Sequence, residues 1–348
     1  MTTEFETAGG WATILGTLQA GNDLTSAQTQ MVLAEMLAGR AADSQIAAFI
    51  VAIRMKGETI EELTGMVEAM QAEATRLTVA PDAIDIVGMG GAPSRRRAAL
   101  NVSTMACFVA AAAGATVLKH GNRRASSTSG SFDFLEALGA QFEFDAEHLQ
   151  RVVAETNVGF AFARLYHPSM RHVGPVRAQL GIPTVFNALG PLANPARVTR
   201  QVVGVANAEL GERMAGVLHA TGSTFSWVVT GDGQLDELST SGPTTVHELD
   251  NGAIRTFTID PQAHGIAPPA DGALDGGDAA ANVAIFDRLL GGETGAIRDI
   301  VALNAAAGLV VAGVATDIAD GLERAAAAID SGAARATTDA HVGATNAA

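Results

Sequence analysis

Residues 84–91 read Ile-Asp-Ile-Val-Gly-Met-Gly-Gly, a short apolar run that ends in a cluster of glycines. Such a run is typical of a buried β-strand. Glycine has no side chain, so the backbone N–H groups after the strand can approach a ligand closely. Residues 101–104, Asn-Val-Ser-Thr, then begin an alanine-rich helix whose N-terminus offers unpaired N–H groups to an anion. The stretch therefore predicts a strand, a phosphate-binding turn and a helix.

Two more polar turns follow in the same strand–helix unit. A second apolar strand, residues 115–118, leads directly into five polar residues: Lys119, His120, Asn122, Arg123 and Arg124. Residues 126–130, Ser-Ser-Thr-Ser-Gly, then precede a helix expected over 132–138. Cations and hydroxyl groups both suit phosphate oxygens. Three such turns in succession predict a site for a small molecule that carries several phosphates.

Other interpretations of the glycine cluster are weaker. The dinucleotide-binding fingerprint requires a third glycine where this chain has Pro93, and the lysine–serine pair of a P-loop does not follow. A plain strand–turn–helix with surface cations would account for any one of the three turns. Their succession is what favours a ligand site.

The composition indicates a globular protein. Its 348 residues, 48% hydrophobic and 17% charged, suit one large domain or two modest ones. The net charge of −15 argues against a general nucleic-acid or anionic-membrane binder. That charge would also repel a polyphosphate unless local cations or a divalent metal accompany it. Cys107 is the single cysteine, which excludes an intrachain disulfide. The chain is expected to be cytoplasmic, because it lacks a signal-peptide pattern and a membrane-spanning run.

The secondary-structure pattern changes near residue 80. Residues 1–79 read as helices only, with capping boxes at Thr25/Gln28 and Thr59/Glu62. From Asp82 onwards, strands alternate with helices, which predicts a domain boundary. Further strands are expected at 158–163, 202–205, 225–230, 244–249 and 254–259. Residues 189–195 are expected to form a rigid loop, and the tail beyond Ser331 is expected to fray.

Two acids and one arginine are further candidates for chemistry. Asp236 and Glu237 follow the strand at 225–230, and Mg²⁺ commonly takes one or two carboxylates together with substrate phosphates. Alternatively, the two acids could simply belong to a solvated turn. The predicted phosphate site favours a metal site instead, because an acidic protein needs positive charge to hold phosphates. Arg177 could hold a carboxylate by a bidentate fork, or equally form a surface ion pair. His167 and His172 lack a third ligand at a spacing suited to a metal.

Several motifs, in order along nearly the whole chain, resemble the anthranilate phosphoribosyltransferase family. They are Arg54-Met55-Lys56-Gly57-Glu58-Thr59, Lys119-His120-Gly121-Asn122-Arg123, Ser126-Ser127-x-Ser129-Gly130, Leu135-Glu136-Ala137-Leu138-Gly139, His167-Pro168, the run Pro183-Thr184-Val185-Phe186-Asn187-x-Leu189-Gly190-Pro191-Leu192-x-Asn194-Pro195, Asp236-Glu237-Leu238 and Asn304-Ala305-Ala306.

The resemblance implies an α/β fold of the nucleoside phosphorylase/phosphoribosyltransferase type. A large α/β domain with a central, mostly parallel sheet (residues 80–168 and 193–348) would bind the donor. A small all-helical domain (residues 1–79 with about 169–192) would form the interface of a homodimer. The implied reaction, in tryptophan biosynthesis, transfers phosphoribosyl from phosphoribosyl pyrophosphate to the amine of anthranilate with Mg²⁺ as cofactor.

The resemblance also implies roles for individual residues. The donor would be held by Gly88, Gly90, Gly91, Asn101, Ser103, Thr104, Lys119 and Ser131. Magnesium would be held by Ser103, Asp236 and Glu237. The acceptor would be lined by His120, Asn122, His167 and Arg177, with Arg177 on the aromatic carboxylate.

The first glycine loop departs from the family pattern Gly-Thr-Gly-Gly-Asp-Gly. Met89, Ala92 and Pro93 replace its threonine, aspartate and last glycine, and residues 94–100 make the loop longer and basic. Phe132 also replaces a usually small residue. Arg95, Arg96 and Arg97 are therefore further candidates for holding the donor.

Three hypotheses follow from these departures. The first is a working anthranilate phosphoribosyltransferase. The second is a same-fold transferase with another aromatic acid or phosphosugar. The third is a non-catalytic relative that binds a ligand or nucleic acid, and the net charge of −15 weighs against nucleic acid.

Overall fold

The computed structural model describes residues 4–90, 99–123 and 128–347, which build one seven-stranded sheet flanked by helices. The strands are β1 (Ile84–Gly88), β2 (Val117–Gly121), β3 (Val158–Phe162), β4 (Arg200–Gly204), β5 (Phe225–Thr230), β6 (Thr244–Asp250) and β7 (Ala253–Ile259). Their order across the sheet is β3-β2-β1-β4-β5-β6-β7. The first five strands run parallel, whereas β6 and β7 are antiparallel to their neighbours. The predicted α/β fold with a mostly parallel sheet is confirmed.

Helices cover both faces of the sheet. The first eight are α1 (Glu4–Thr7), α2 (Gly10–Gln19), α3 (Ser26–Leu37), α4 (Asp43–Lys56), α5 (Ile60–Ala72), α6 (Val102–Ala112), α7 (Ser131–Leu138) and α8 (Ala146–Thr156). The others are α9 (Ala163–Tyr166), α10 (Gly174–Leu180), α11 (Val185–Leu192), α12 (Ala208–Ala220), α13 (Ala279–Leu290), α14 (Ala296–Ala312), α15 (Ile318–Asp330) and α16 (Ala333–Asn346). Short 3₁₀ helices span Pro168–His172 and Pro261–His264. Within the part of the chain that the structure describes, no helix is long and apolar enough to cross a membrane.

Alternation along each strand divides the core into two layers. Ile84 and Ile86 on β1 point to the layer that contains α6, α13, α14 and α15. Val87 points to the opposite layer, which contains the apolar residues of α3, α4, α5, α11 and α12. Because successive strand residues face opposite sides, Asp85 shares the face of Val87. The N-terminal helices are thus packed on one face of the sheet.

The N-terminal helices begin at the predicted capping boxes. The Thr25 N–H donates to Gln28 at 2.9 Å, and the Gln28 N–H donates to the Thr25 hydroxyl at 3.2 Å. Thr59 and Glu62 form the same reciprocal pair at 2.9 and 3.2 Å. Glu62 is completely buried and also accepts a hydrogen bond from the Lys56 ammonium at 2.9 Å. This buried charge therefore joins the end of α4 to the start of α5.

Residues 189–195 and the C-terminal tail differ from the sequence expectation. Residues 185–192 form α11 although Pro191 lies inside the helix. Proline removes only one hydrogen bond there because it stands in the last turn of a short helix. The expected frayed tail is instead α16, which is anchored by the Asn346 amide on the Gly139 carbonyl oxygen (2.8 Å) and by the buried His341. Burial, which local composition does not reveal, decides both cases.

Acid is expected to weaken the attachment of α16, because His341 is buried in its neutral form. The ring lies between Phe108 and Phe160, and Nδ1 donates to the Val158 carbonyl oxygen at 3.1 Å. Burial lowers the pKa of His341 from 6.5 to about 4. The unfolded chain therefore binds the proton first, and stability falls as the pH falls from 6.5 towards 4. Between pH 7 and pH 5 this one histidine accounts for roughly 2 kcal/mol.

Urea unfolding at pH 7 and pH 5 checks this prediction. The matched variant is His341→Gln, whose amide can still donate to the Val158 carbonyl oxygen but does not titrate. We expect the variant to lose roughly 2 kcal/mol less than the wild type between the two pH values. An identical pH dependence in both proteins would contradict the assignment.

Candidate active site

The strand order of the sheet reverses at the carboxyl ends of β1 and β4, the place where open α/β sheets form a crevice. The chain leaves β1 towards β2 on one side, whereas β4 lies on the other side of β1. Ligands of open α/β sheets bind where the strand order reverses in this way. Gly88 and Gly204, the last residues of the two strands, are register partners across this point.

The acid loop, residues 231–239, crosses directly over these two glycines. A Cβ atom on Gly204 would lie 1.7 Å from the carbonyl oxygen of Asp236. A Cβ atom on Gly88 would lie 2.6 Å from Asp236 Oδ2. Any side chain at either position would displace the loop, since real Cβ atoms do not approach so closely. The glycines thus allow Asp236 and Glu237, the acid pair, to reach the crevice.

Two backbone hydrogen bonds fix the acid pair in the crevice. The Gly90 N–H donates to Asp236 Oδ2 at 2.6 Å. The Ser103 N–H, in the first turn of α6, donates to Glu237 Oε1 at 3.3 Å. The end of β1, the N-terminus of α6 and the acid loop therefore meet at one point. The structure brings together the three residues predicted to hold magnesium, Ser103, Asp236 and Glu237, although 134 residues separate Ser103 from Glu237.

The chemistry of these groups fits magnesium. Two carboxylates and the Ser103 hydroxyl are hard oxygen ligands, which Mg²⁺ prefers. Among the described residues, no group of three or more His, Cys, Asp or Glu side chains could hold a metal by itself. Mg²⁺ normally takes only one or two carboxylates and completes its shell with water and substrate phosphates. The acid pair is therefore suited to a metal that arrives with a phosphorylated donor.

The N-terminus of α6 is held in place without a side-chain cap. Asn101 precedes the helix, but its side chain accepts from the Ser129 hydroxyl at 2.8 Å and does not bond to the helix N–H groups. Thr104 is 1% exposed, so its side chain is enclosed. Asn282 on α13, which the sequence analysis missed, accepts from the Asn101 N–H at 3.2 Å and donates to the Ala99 carbonyl oxygen at 2.9 Å. It ties the start of α6 to α13.

Lys119 is part of β2 and lies inside the protein. It is 4% exposed, and its ammonium donates to the carbonyl oxygen of Ile86 at 2.6 Å. The sequence predicted a cationic turn in which Lys119 and His120 act together. They are instead consecutive strand residues, whose side chains point to opposite faces. Lys119 thus brings a positive charge beneath the end of β1.

His120 is held by protein groups at both ring nitrogens. Nδ1 pairs with Asp85, which is completely buried on β1, and Nε2 pairs with the carbonyl oxygen of Gly190 on α11. Asn194 donates to the same Asp85 oxygen at 2.8 Å and to the Leu118 carbonyl oxygen at 2.9 Å. His120 therefore joins the sheet to α11, and Asn194 joins the sheet to the segment that follows this helix. Asp85 was missed, although a lone acid in an apolar strand signals a buried polar network.

His167, which follows β3 and α9, also bonds to the backbone at the end of α11. Its Nε2 donates to the carbonyl oxygen of Ala193 at 2.8 Å. Burial, and to a smaller extent the nearby His120, lower the pKa of His167 to about 4, although backbone hydrogen bonds to Ala193 and Met70 oppose the shift. The imidazole is therefore neutral at pH 7. His120 and His167 together hold residues 190–193 against the sheet.

Arg177 is the predicted acceptor residue whose charge is not paired with a carboxylate in the described part of the chain. Its guanidinium lies 5.0 Å from the centre of the Phe186 ring. Burial lowers the pKa of Arg177. Within residues 4–90, 99–123 and 128–347, no carboxylate lies within ion-pair distance of it, in contrast to Arg123. A half-buried guanidinium stacked on an aromatic ring is suited to an aromatic carboxylate.

The turn after β2 is organised by ion pairs within the protein. Arg123 donates to both oxygens of Glu136 at 2.7 and 2.9 Å, which raises the pKa of Arg123 and lowers that of Glu136. The exposed Asn122 accepts from the Arg123 N–H through its side chain at 2.9 Å, and its carbonyl oxygen accepts from the Ser131 hydroxyl at 3.3 Å. Phe132, the departure beside Ser131, is buried against other aromatic rings. Gly91, Arg95, Arg96 and Arg97 lie outside the described residues.

Comparison with known proteins agrees with this geometry. Residues 12–74 match the helical bundle domain of a glycosyl transferase family, and residues 80–335 match the α/β domain of that family. The anthranilate phosphoribosyltransferase of Nocardioides sp. is 46% identical over 340 residues, which cover 96% of this chain and 98% of that protein. The corresponding protein of Arthrobacter sp. is 47% identical over 335 residues, 94% of each chain.

Solved structures give the same result. Anthranilate phosphoribosyltransferase from Thermus thermophilus superposes with a TM-score of 0.89 at 38% identity, covering 96% of this chain and 99% of that one. The enzyme from Saccharomyces cerevisiae in complex with PRPP and Mg superposes with a TM-score of 0.87 at 25% identity, covering 99% of each chain. Because sequence and fold agree over nearly the full length, this chain belongs to the anthranilate phosphoribosyltransferase family.

Proposed function

We infer that this chain transfers the phosphoribosyl group of phosphoribosyl pyrophosphate to the amine of anthranilate and releases pyrophosphate, a step of tryptophan biosynthesis. The observation that carries the inference is the meeting of Asp236 and Glu237 with Gly90 and Ser103 over the crevice between β1 and β4. A polyphosphate needs compensating positive charge in an acidic protein, and the acid pair is suited to hold a divalent cation that supplies part of it. Of the three hypotheses, the working transferase is therefore favoured.

The donor is proposed to lie across the crevice. Ser103, Asp236 and Glu237 would hold Mg²⁺, which when bound neutralises the charge that grows on the departing pyrophosphate. The backbone at Gly88, Gly90 and Gly91 would contact the phosphates. The remaining donor residues are proposed to be Asn101, Thr104, Lys119 and Ser131, with Arg95, Arg96 and Arg97 as further candidates.

The acceptor is proposed to lie beside Arg177. The guanidinium would take the carboxylate of anthranilate in a bidentate pair, and Phe186 supports the guanidinium from below. Asn122, exposed at the end of β2, would contact the amine side. His120 and His167 would shape this region through the backbone that they hold, since their bonded nitrogens are committed to Asp85, Gly190 and Ala193.

The chemical step needs placement more than a strong base. The lone pair of the amine forms a bond to the anomeric carbon of the ribose while the bond from that carbon to the pyrophosphate oxygen breaks. The aromatic amine is already neutral at pH 7, so no base is needed before it attacks. Its nitrogen becomes positively charged when the new bond forms, and it then loses one proton to water. No covalent nucleophile is required, and holding the two substrates in line supplies much of the rate.

The domain division and the assembly are also proposals. Residues 1–79 with about 169–192 would form the helical domain, since Val176 on α10 and Phe186 on α11 share an apolar cluster with Phe49 on α4. Residues 80–168 and 193–348 would form the donor domain. We propose a homodimer through the helical domain, located in the cytoplasm, on the strength of the family resemblance.

A turnover assay tests the proposed function directly. Anthranilate fluoresces, so its consumption can be followed continuously in the presence of phosphoribosyl pyrophosphate and Mg²⁺. We expect the fluorescence to fall only when enzyme, donor and Mg²⁺ are all present, and chelation of the metal should stop the reaction. Unchanged fluorescence with the complete mixture would contradict the proposal.

A further inference from the structure

We propose that Asn304 on α14 is a positioning residue for magnesium, because it fixes the backbone directly beside Glu237. The inference rests on the proposed function and extends it to Asn304, whose hydrogen bonds go to Leu238 and Ile300. Asn304 is 2% exposed and lies among apolar side chains of the core. A buried amide in such surroundings needs hydrogen-bond partners, and it finds them in the acid loop.

The amide of Asn304 bonds to both backbone groups of one residue. Its Oδ1 accepts from the Leu238 N–H at 2.9 Å, and its Nδ2 donates to the Leu238 carbonyl oxygen at 3.0 Å. These two bonds form the Asn304 clamp. A third bond, from Nδ2 to the Ile300 carbonyl oxygen one turn earlier on α14, is 2.9 Å long and orients the amide. Leu238 is therefore fixed in position and in peptide orientation, and the direction of the preceding residue, Glu237, is fixed as well.

The acid pair thus lies between two fixed points. On one side, Leu235 and Gly231 exchange backbone hydrogen bonds of 2.8 and 3.2 Å. On the other side, Leu238 is held by Asn304, and the Ser239 N–H donates to the Thr244 hydroxyl at 2.9 Å. Only Asp236 and Glu237 separate these points. The loop therefore presents its carboxylates in one arrangement before a metal arrives, which avoids an ordering cost on binding.

Loss of the Asn304 clamp should weaken magnesium binding more than it weakens the fold. Residues that orient metal ligands typically cost about 10-fold to 100-fold in metal affinity when they are changed. We expect Asn304→Ala to raise the Mg²⁺ concentration that half-saturates donor binding about tenfold. Excess Mg²⁺ should restore donor binding, because the acids themselves remain.

Calorimetric titration of phosphoribosyl pyrophosphate at a series of Mg²⁺ concentrations tests the inference without relying on turnover. The matched control is Thr156→Val on α8, which also removes buried hydrogen bonds, to the Val152 and Val158 carbonyl oxygens at 2.8 and 2.9 Å. Thr156 lies beside the start of β3, which is an edge strand, whereas the acids lie over the carboxyl ends of the central strands β1 and β4. Asn304→Ser is the second variant, in case Asn304→Ala does not fold.

The outcomes separate the inference from the proposed function. A higher Mg²⁺ requirement in the Asn304 variants, with Thr156→Val unchanged, supports the clamp. A wild-type Mg²⁺ requirement in Asn304→Ala, or in Asn304→Ser where only that variant folds, overturns the clamp. The same shift in Thr156→Val also overturns it. If the wild type binds no donor at any Mg²⁺ concentration, the proposed function fails and the clamp fails with it.

Discussion

Replacing both acids of the loop, by Asp236→Asn with Glu237→Gln, is expected to lower kcat/KM for phosphoribosyl transfer roughly 10³-fold. The two amides keep the size of the side chains and can still accept from the Gly90 and Ser103 N–H groups. They remove the two negative charges that would hold Mg²⁺. The expected loss corresponds to roughly 4 kcal/mol of transition-state stabilisation, which is within the range of a metal that neutralises a leaving phosphate.

The control for this double variant is Asp232→Asn, an exposed acid in the same loop. It removes one charge without touching the crevice, and its kcat/KM should stay close to that of the wild type. The double variant is expected to stay folded, because both amides can still accept from the Gly90 and Ser103 N–H groups. Steady-state kinetics and thermal unfolding check both points. Retained activity in the double variant would show that the acids do not carry the metal.

The second large effect is expected at Arg177. Arg177→Ala should raise the KM for anthranilate roughly 10²-fold, since two charge-assisted hydrogen bonds to the carboxylate are lost. Arg177→Lys should recover only part of the loss, because an ammonium cannot reproduce the planar fork or its stacking on Phe186. The donor KM should be unaffected. Steady-state kinetics with each substrate varied in turn measures these constants.

Arg171 supplies the matched control for Arg177. It is exposed on the neighbouring 3₁₀ helix, where it donates to the Pro168 carbonyl oxygen at 3.3 Å. Arg171→Ala should leave the anthranilate KM unchanged. Aniline, which lacks the carboxylate, should react poorly with the wild type and no worse with Arg177→Ala. If Arg177→Ala and Arg171→Ala behave alike, Arg177 does not hold the acceptor.

The sequence pattern predicted helices and strands well where the conformational preference of the residues agrees with their burial in the fold. The strand expected at 225–230 is β5 with the same bounds, and both threonine capping boxes are formed. Each of these signals lies within a few neighbouring residues. The run at 189–195 shows the opposite case: proline and glycine predicted a loop, whereas packing of Phe186 and Leu189 against the N-terminal helices stabilises α11.

The candidate site was predictable in its residue types more than in its contacts. Asp236 and Glu237 were selected because an acidic protein needs a cation to bind phosphate, and the fold places them over Gly88 and Gly90. The partners of His120 were not predictable, because Asp85 and Gly190 approach it from distant parts of the chain. Asn304 was recognised in the sequence only as part of the motif Asn304-Ala305-Ala306, and its hydrogen bonds to Leu238 could not be predicted. Side-chain amides give no sequence signal of what they bond to.

The central claim is that a phosphorylated sugar binds with magnesium at the carboxyl ends of β1 and β4. The most direct measurement is a crystal structure of this chain with phosphoribosyl pyrophosphate and Mg²⁺. The predicted result is a metal about 2.0–2.1 Å from oxygens of Asp236 and Glu237, with the pyrophosphate in the crevice beside Gly88 and Ser103. Donor bound elsewhere, with no metal on the acid pair, would contradict the claim.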